Sequence, residues 1–173
     1  MSPVSPSIRW TTLFLALTAC SAGQAPTMTA ADSAAVDRLY VSFREAYAAL
    51  DADRVAGLYA EDALYAPSGA PGFERGRGYI RENFRGFFNA VRADSATLDL
   101  RFRFERRFRS ATLASDAGYY RLSLRRGDST GRATAGKFVT IARRDSTGQW
   151  RFSLDMYSDA ALDAFEAAPD YEP

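Results

Sequence analysis

The sequence contains no histidine. That removes the side chain whose charge changes near neutral pH, and with it the commonest metal ligand. It contains one cysteine, Cys20, so no disulfide can close within the chain and no Cys-X-X-Cys metal or redox site exists. Lysine is nearly absent too: of 22 basic residues only Lys137 is a lysine. Compositional bias accounts for this, although guanidinium groups also suit planar recognition of carboxylates and phosphates. With 21 acidic residues the net charge is +1, which gives no overall pull towards nucleic acid or anionic surfaces. No Gly-rich phosphate loop and no metal-ligating cluster stands out, so neither cofactor nor metal is expected.

What is present is apolar. In 173 residues, 47% are hydrophobic and 13% aromatic, enough for one domain with a real core. The N-terminus carries Arg9 and then a mostly apolar run, Trp10 to Leu17, too short to span a bilayer but suited to the apolar part of a signal peptide. It ends Leu17-Thr18-Ala19-Cys20, which resembles the lipobox of bacterial lipoproteins. The resemblance implies cleavage before Cys20 and lipidation of its thiol. Ser21 in place of Asp implies the outer membrane, facing the periplasm, if the source is Gram-negative. The alternative is an ordinary secretory signal in which Cys20 is incidental. The expected divisions are a leader at 1–19, the lipidated cysteine and a flexible Ser/Ala/Gly/Pro tether at 20–28, a folded domain at 29–158 and a C-terminal tail at 159–173.

Within the domain, Val36, Leu39, Tyr40, Phe43, Tyr47 and Leu50 recur every three or four residues and predict a helix from about Thr29 to Leu50. Thr29 and Asp32 have capping-box spacing. Asp51 is the expected N-cap of a second helix carrying Val55, Leu58 and Tyr59 and ending at Glu61-Asp62-Ala63. Leu64-Tyr65-Ala66 reads as a short strand stopped by Pro67. A third helix starts near Gly76 to Gly78 and carries Ile80, Phe84, Phe87, Phe88 and Val91. The period then changes to two. Leu98 to Glu105, Tyr120 to Arg125, Lys137 to Ala142 and Trp150 to Tyr157 predict four strands in an antiparallel meander. Helix, helix, strand, helix, four strands is an α+β layer fold.

Four segments carry a wider resemblance: Tyr47 to Ala63, Gly76-Arg77-Gly78-Tyr79-Ile80, Gly136-Lys137-Phe138-Val139 and Gly148-Gln149-Trp150-Arg151-Phe152. In that order and spacing the chain resembles the SnoaL-like group of the nuclear transport factor 2-like superfamily. The resemblance implies a cone-shaped, strongly curved, mostly antiparallel sheet wrapped around N-terminal helices, with a pocket at the open end and homodimers through the outer sheet face. It does not imply one reaction, so the site must decide. Ketosteroid isomerase-like members have a base before a proline, an oxyanion-holding tyrosine in helix one and a second acid on a later strand. The matching positions here hold Ala66, Phe43 and, within register error, Thr140. That reaction is therefore not expected. The Asp-Arg-Asp set of the epoxide hydrolase branch finds no convincing match, and the dehydratase branch needs the missing histidine.

The candidate site residues are Tyr59, Tyr65, Arg77, Tyr119, Asp155 and Tyr157. Asp155 interrupts an apolar, aromatic strand. Facing a cavity it would have a raised pKa and could serve as acid or base. Strict alternation sets it opposite Trp150, Phe152 and Leu154, so it faces outward unless a bulge intervenes. The tyrosines also read as amphipathic core residues, Arg77 as a solvated side chain and Asp62 as a turn or cap acid. The basic run Arg101, Arg103, Arg106, Arg107 and Arg109 is interleaved with Phe102, Phe104 and Phe108, but alternation predicts those rings on the core face, so no nucleic-acid partner is expected. The leading expectation is a lipid-anchored domain binding a small, mostly apolar molecule. A small isomerase, cyclase or hydrolase using Asp155 and a tyrosine is second. A dimeric assembly module is third.

Overall fold

The computed structural model describes residues 27–127 and 131–169. The segments expected to be leader and lipidated cysteine, and most of the expected tether, lie outside the described residues. Helix α1 (Ala30–Ala48) is capped by Thr29, whose Oγ1 accepts from the Asp32 N–H at 3.1 Å and donates to the Asp32 carboxylate at 2.8 Å. Asp32 Oδ1 also accepts from Trp150 Nε1 at 3.1 Å and from Arg144, tying the start of the helix to the sheet. Its other end closes in a Schellman turn. Leu50 has φ 56°, its N–H reaches the Tyr47 carbonyl, and the Asp51 N–H reaches Ala46. Asp51 then N-caps α2 (Ala52–Gly57) by accepting from the Arg54 N–H at 2.9 Å, so a single break turns the chain between two helices.

Helix α2 stops earlier than its sequence pattern predicts. Tyr59 and Glu61-Asp62-Ala63 belong to strand β1 (Tyr59–Ala66) instead. The reason is tertiary: the Leu58 carbonyl accepts from the Phe152 N–H at 2.9 Å, so ladder pairing begins where helix would have continued. After the short β2 (Glu74–Arg75), α3 (Arg77–Ala93) buries Ile80, Phe84, Phe88 and Val91. Then come β3 (Ala96–Arg109), β4 (Leu113–Arg126), β5 (Arg132–Arg144) and β6 (Trp150–Ala160), each antiparallel to the next. β1 adds in parallel beside β6, giving the curved, unclosed order β2-β1-β6-β5-β4-β3. Strand β4 begins seven residues before Tyr120, the first residue its alternation revealed. The segment Ala114 to Gly118 has little strand preference of its own and is held by pairing on both sides, to β3 and to β5.

Two bulges decide which side chains enter the core. In β3 the register jumps at Glu105, with Phe104 opposite Gly118 and Arg106 opposite Ala117. Each bulge reverses the in–out alternation. Arg107 and Arg109 therefore turn inward, and Phe108 is 61% exposed rather than a core ring. In β6 the extra residue is Ser153: Ala142 opposes Phe152 and Ile141 opposes Leu154. Phe152 and Asp155 thus face the same way, and the outward placement from simple alternation is corrected.

The helices pack on the inner face of the sheet, where Tyr40 contacts the rings of Phe102, Phe104 and Phe152 edge-on at 4.8–5.3 Å. The described part of the tail holds one short helix. Helix α4 (Leu162–Ala167) lies against β4 and β5 with Phe165 buried. The Arg103 guanidinium lies 4.8 Å from that ring and donates to the carbonyls of Phe165 (2.9 Å), Glu166 (2.7 Å) and Ala168 (3.3 Å). A cation on the last carbonyls of a helix satisfies groups that have no partner within it.

Candidate active site

Between α1, α3 and the inner face of the sheet lies a cavity of about 460 Å³, within the size range of small-molecule sites. Tyr40, Phe43 and Tyr47 enter it from α1, and Phe84 and Phe87 from α3. Phe102, Tyr120, Phe138, Phe152 and Tyr157 enter from the strands. Asn83 is exposed at the rim. Gly136 lets Tyr120 take its place: a Cβ there would meet the Tyr120 ring at 2.3 Å.

Among the described residues Asp155 is the one charged side chain in the lining, and it is only 9% exposed. Its Oδ2 accepts from Tyr59 Oη at 2.5 Å. Burial pushes the carboxyl pKa up to about 6, with the Tyr59 hydrogen bond opposing. Tyr59 itself is wholly buried behind the cavity wall. Burial and then the Asp155 charge raise its pKa well above the usual tyrosine value. Tyr65 Oη donates to Tyr157 Oη at 3.4 Å, and burial raises both hydroxyls. Burial likewise raises Tyr47 well above the ordinary value and Tyr120 to about 12. The wall chemistry is thus one carboxyl near neutral poise among tyrosines that stay protonated.

The structure divides the sequence candidates. Tyr65, Asp155 and Tyr157 line the cavity, with Tyr59 directly behind Asp155. Arg77 does not reach it: its Nε donates to the Tyr59 carbonyl at 2.8 Å and its Nη1 pairs with Glu61, so it ties the start of α3 to β1. Tyr119 lies opposite Lys137 in a shallow groove on the outer face, so Tyr120 is the tyrosine that belongs in its place. The alternation of Tyr120, Leu122 and Leu124 carried that signal. Asp62 lies within β1 and pairs with Arg143, rather than capping a helix.

Tyr40, Tyr47, Phe84 and Phe87 were legible only as stripe residues. Of the isomerase-like positions, Phe43 and Thr140 line the cavity and Ala66 does not. Tyr40, three residues before Phe43, also lines the cavity. Its hydroxyl donates to Asp116 Oδ2 at 2.9 Å and meets Thr140 Oγ1 at 2.5 Å. Asp116 in turn accepts from Arg107 at 3.0 Å and Arg109 at 2.7 Å, and Arg107 reaches Asp37 at 2.7 Å. These contacts hold Tyr40 as a fixed wall. Among the described residues no group of three acidic, cysteine or histidine side chains is set to hold a metal.

No family model matches the sequence, and no curated protein matches it either. Solved structures do. A nuclear transport factor 2-like protein with a cystatin-like fold from Novosphingobium aromaticivorans superposes with a TM-score of 0.62 at 18% identity, covering 78% of this chain and 86% of its own. A ketosteroid isomerase-like protein from Erwinia carotovora atroseptica gives 0.60 at 16% identity, covering 74% and 95%. A domain described as of the calcium/calmodulin dependent protein kinase II association type, from Xanthomonas campestris, gives 0.57 at 20% identity, covering 73% and 86%. Helices cradled by an unclosed six-stranded sheet, in this order and with these neighbours, are the nuclear transport factor 2-like fold, and this chain has it.

Proposed function

We propose that this chain is an exported, lipid-anchored domain that binds a small, mostly apolar molecule in its aromatic cavity. The observation that carries the reading is the cavity itself: about 460 Å³, ringed mainly by phenylalanine and tyrosine side chains, with Asp155 as the one charged group among the described residues. The nuclear transport factor 2-like fold of its structural neighbours supports a pocket domain. The Leu17-Thr18-Ala19-Cys20 sequence supports the anchor, and Ser21 after it supports the outer membrane, facing the periplasm, if the source is Gram-negative. Saturable binding of N-phenyl-1-naphthylamine, a neutral fluorescent probe, tests the pocket. Leu100→Trp, which fills the cavity, abolishes that binding under this reading; equal binding by the variant counts against it. For the anchor, metabolic labelling with a palmitate analogue tests Cys20, and label retained by Cys20→Ser defeats that assignment.

A second reading is a small enzyme of isomerase, cyclase or hydrolase type. It is favoured by Asp155, whose pKa near 6 and 2.5 Å contact with Tyr59 suit proton transfer. Turnover of a found substrate that survives Asp155→Asn would exclude it. The third reading is a homodimer through the outer sheet face, where Val139 and Met156 are 43% and 40% exposed beside Tyr119 and Lys137. The association-type neighbour supports assembly of some order. Sedimentation as a monomer at micromolar concentration would remove it.

A further inference from the structure

Asp155 differs from Asp116, the other buried acid among the described residues. Asp116 is surrounded by Arg107, Arg109 and the Tyr40 hydroxyl. Asp155 has one hydrogen-bond partner among the described residues, the neutral Tyr59, and that bond uses Oδ2. Among the described residues no arginine or lysine lines the cavity, and none forms an ion pair with Asp155. A carboxylate in such a place lacks a counter-charge, and burying it unpaired is costly. Around it stand the tyrosines Tyr47, Tyr65, Tyr120 and Tyr157 and, across the ladder, Thr140; hydroxyl oxygens and aromatic rings both attract cations.

We infer that the cavity selects an organic amine in its protonated form, carried on an aromatic or polycyclic body, with Asp155 as the counter-charge. This rests on the pocket reading above and names its ligand class. The ammonium N–H donates to the Asp155 carboxylate as a charge-assisted hydrogen bond, strengthened by exclusion of water. The rings of Tyr47, Tyr120 and Phe152 flank the charge, and the apolar body fills the space towards Phe84 and Phe87. A neutral alcohol of the same shape gains the apolar contact but leaves the carboxylate uncompensated. An anion meets repulsion with no basic side chain to offset it.

Titration provides a test independent of any variant. The ionisable groups facing Asp155 are Tyr59 and Tyr65 from β1, Tyr47 from α1, Tyr120 from β4 and Tyr157 from β6, while β5 presents the neutral Thr140. The tyrosines are all raised above their ordinary value, so in the mildly acidic range Asp155 alone among these groups changes charge.

The experiment is calorimetric titration of the full chain with 2-naphthylmethylamine, 2-naphthylmethanol and 2-naphthoate. At about pH 8 the amine is expected to bind at least roughly tenfold tighter than the alcohol, and the naphthoate weakest. That preference fades as pH falls below about 6, because Asp155 takes up a proton while the amine stays charged. Asp155→Asn abolishes the preference but keeps binding of the alcohol. Tyr59→Phe keeps the preference and moves its loss to higher pH, since the hydrogen bond that favours the carboxylate is gone. Equal binding of amine and alcohol by the native chain, or a preference that survives Asp155→Asn, overturns the amine assignment and leaves the pocket standing. Absence of binding by all three compounds overturns both.

Discussion

Tyr59 and Asp155, 96 positions apart in the chain, share a 2.5 Å hydrogen bond inside a wall that otherwise offers the carboxylate aromatic side chains and the neutral Thr140. Two irregularities bring them together. β1 shifts register against β6 between Tyr59 and Leu64, and β6 bulges at Ser153.

That placement makes stability depend on pH. The folded-state pKa of Asp155, about 6, exceeds the value of an exposed aspartate. The native state therefore holds a proton that the unfolded chain has already released, over the window from about pH 4 to about pH 6. The contribution of Asp155 is fully present below that window and is lost as pH rises through 6. Asp155→Asn is expected to stabilise the protein at about pH 8 by roughly 2–3 kcal/mol and to leave it nearly unchanged near pH 4. Urea unfolding at the two pH values checks this; equal stability of variant and native chain at both would contradict the raised pKa.

The Asp116 cluster differs in that its charges are paired. Asp116→Ala strands the inward guanidinium groups of Arg107 and Arg109 and removes the acceptor of Tyr40. Loss of one partner from a buried ion pair costs roughly 3–5 kcal/mol. Arg109→Ala should cost clearly less, since Arg107 still pairs with Asp116. Comparison of denaturation midpoints decides, and similar losses for the two variants would show that the arginines do not share the acid.

Gly136 and Tyr120 form one unit. A methyl at 136 would lie 2.3 Å from the Tyr120 ring, so Gly136→Ala must displace that ring from the cavity wall. The expected cost is roughly 1–3 kcal/mol, with altered probe binding. In a Tyr120→Ala background the same substitution should cost little. A double-mutant cycle measures the coupling, and additive effects would place the strain elsewhere.

Helix α4 depends on Arg103 and Phe165 for its position on the sheet. Phe165→Ala or Arg103→Ala should release residues 162–167 while leaving β4 and β5 ordered. Hydrogen exchange gives the readout: faster exchange confined to α4 is expected, and unchanged protection there would show that other contacts hold it.

Period and capping made most of the fold legible. The apolar stripe through Val36, Tyr40 and Phe43, the Asp51 cap and the alternation from Leu98 to Phe104 each report a local preference that the structure keeps. The extension of helix two through Tyr59 failed because a backbone carbonyl at Leu58 found a partner in β6, which no local pattern encodes. Tyr119 is a candidate by residue type, whereas the alternation of Tyr120, Leu122 and Leu124 points Tyr120 inward, as the structure has it. The outward reading of Asp155 and the core reading of Phe108 failed for one shared reason: a single extra residue in a strand reverses every side chain beyond it.

The sequence by itself therefore determined the elements, their order and the aromatic stock of the core, because those follow from short-range periodicity. Only the tertiary structure decided which faces those elements present. The bulges at Glu105 and Ser153 arise from pairing with neighbouring strands. They turn two arginines inward onto Asp116 and bring Asp155 to the cavity wall, unaccompanied by any cation among the described residues.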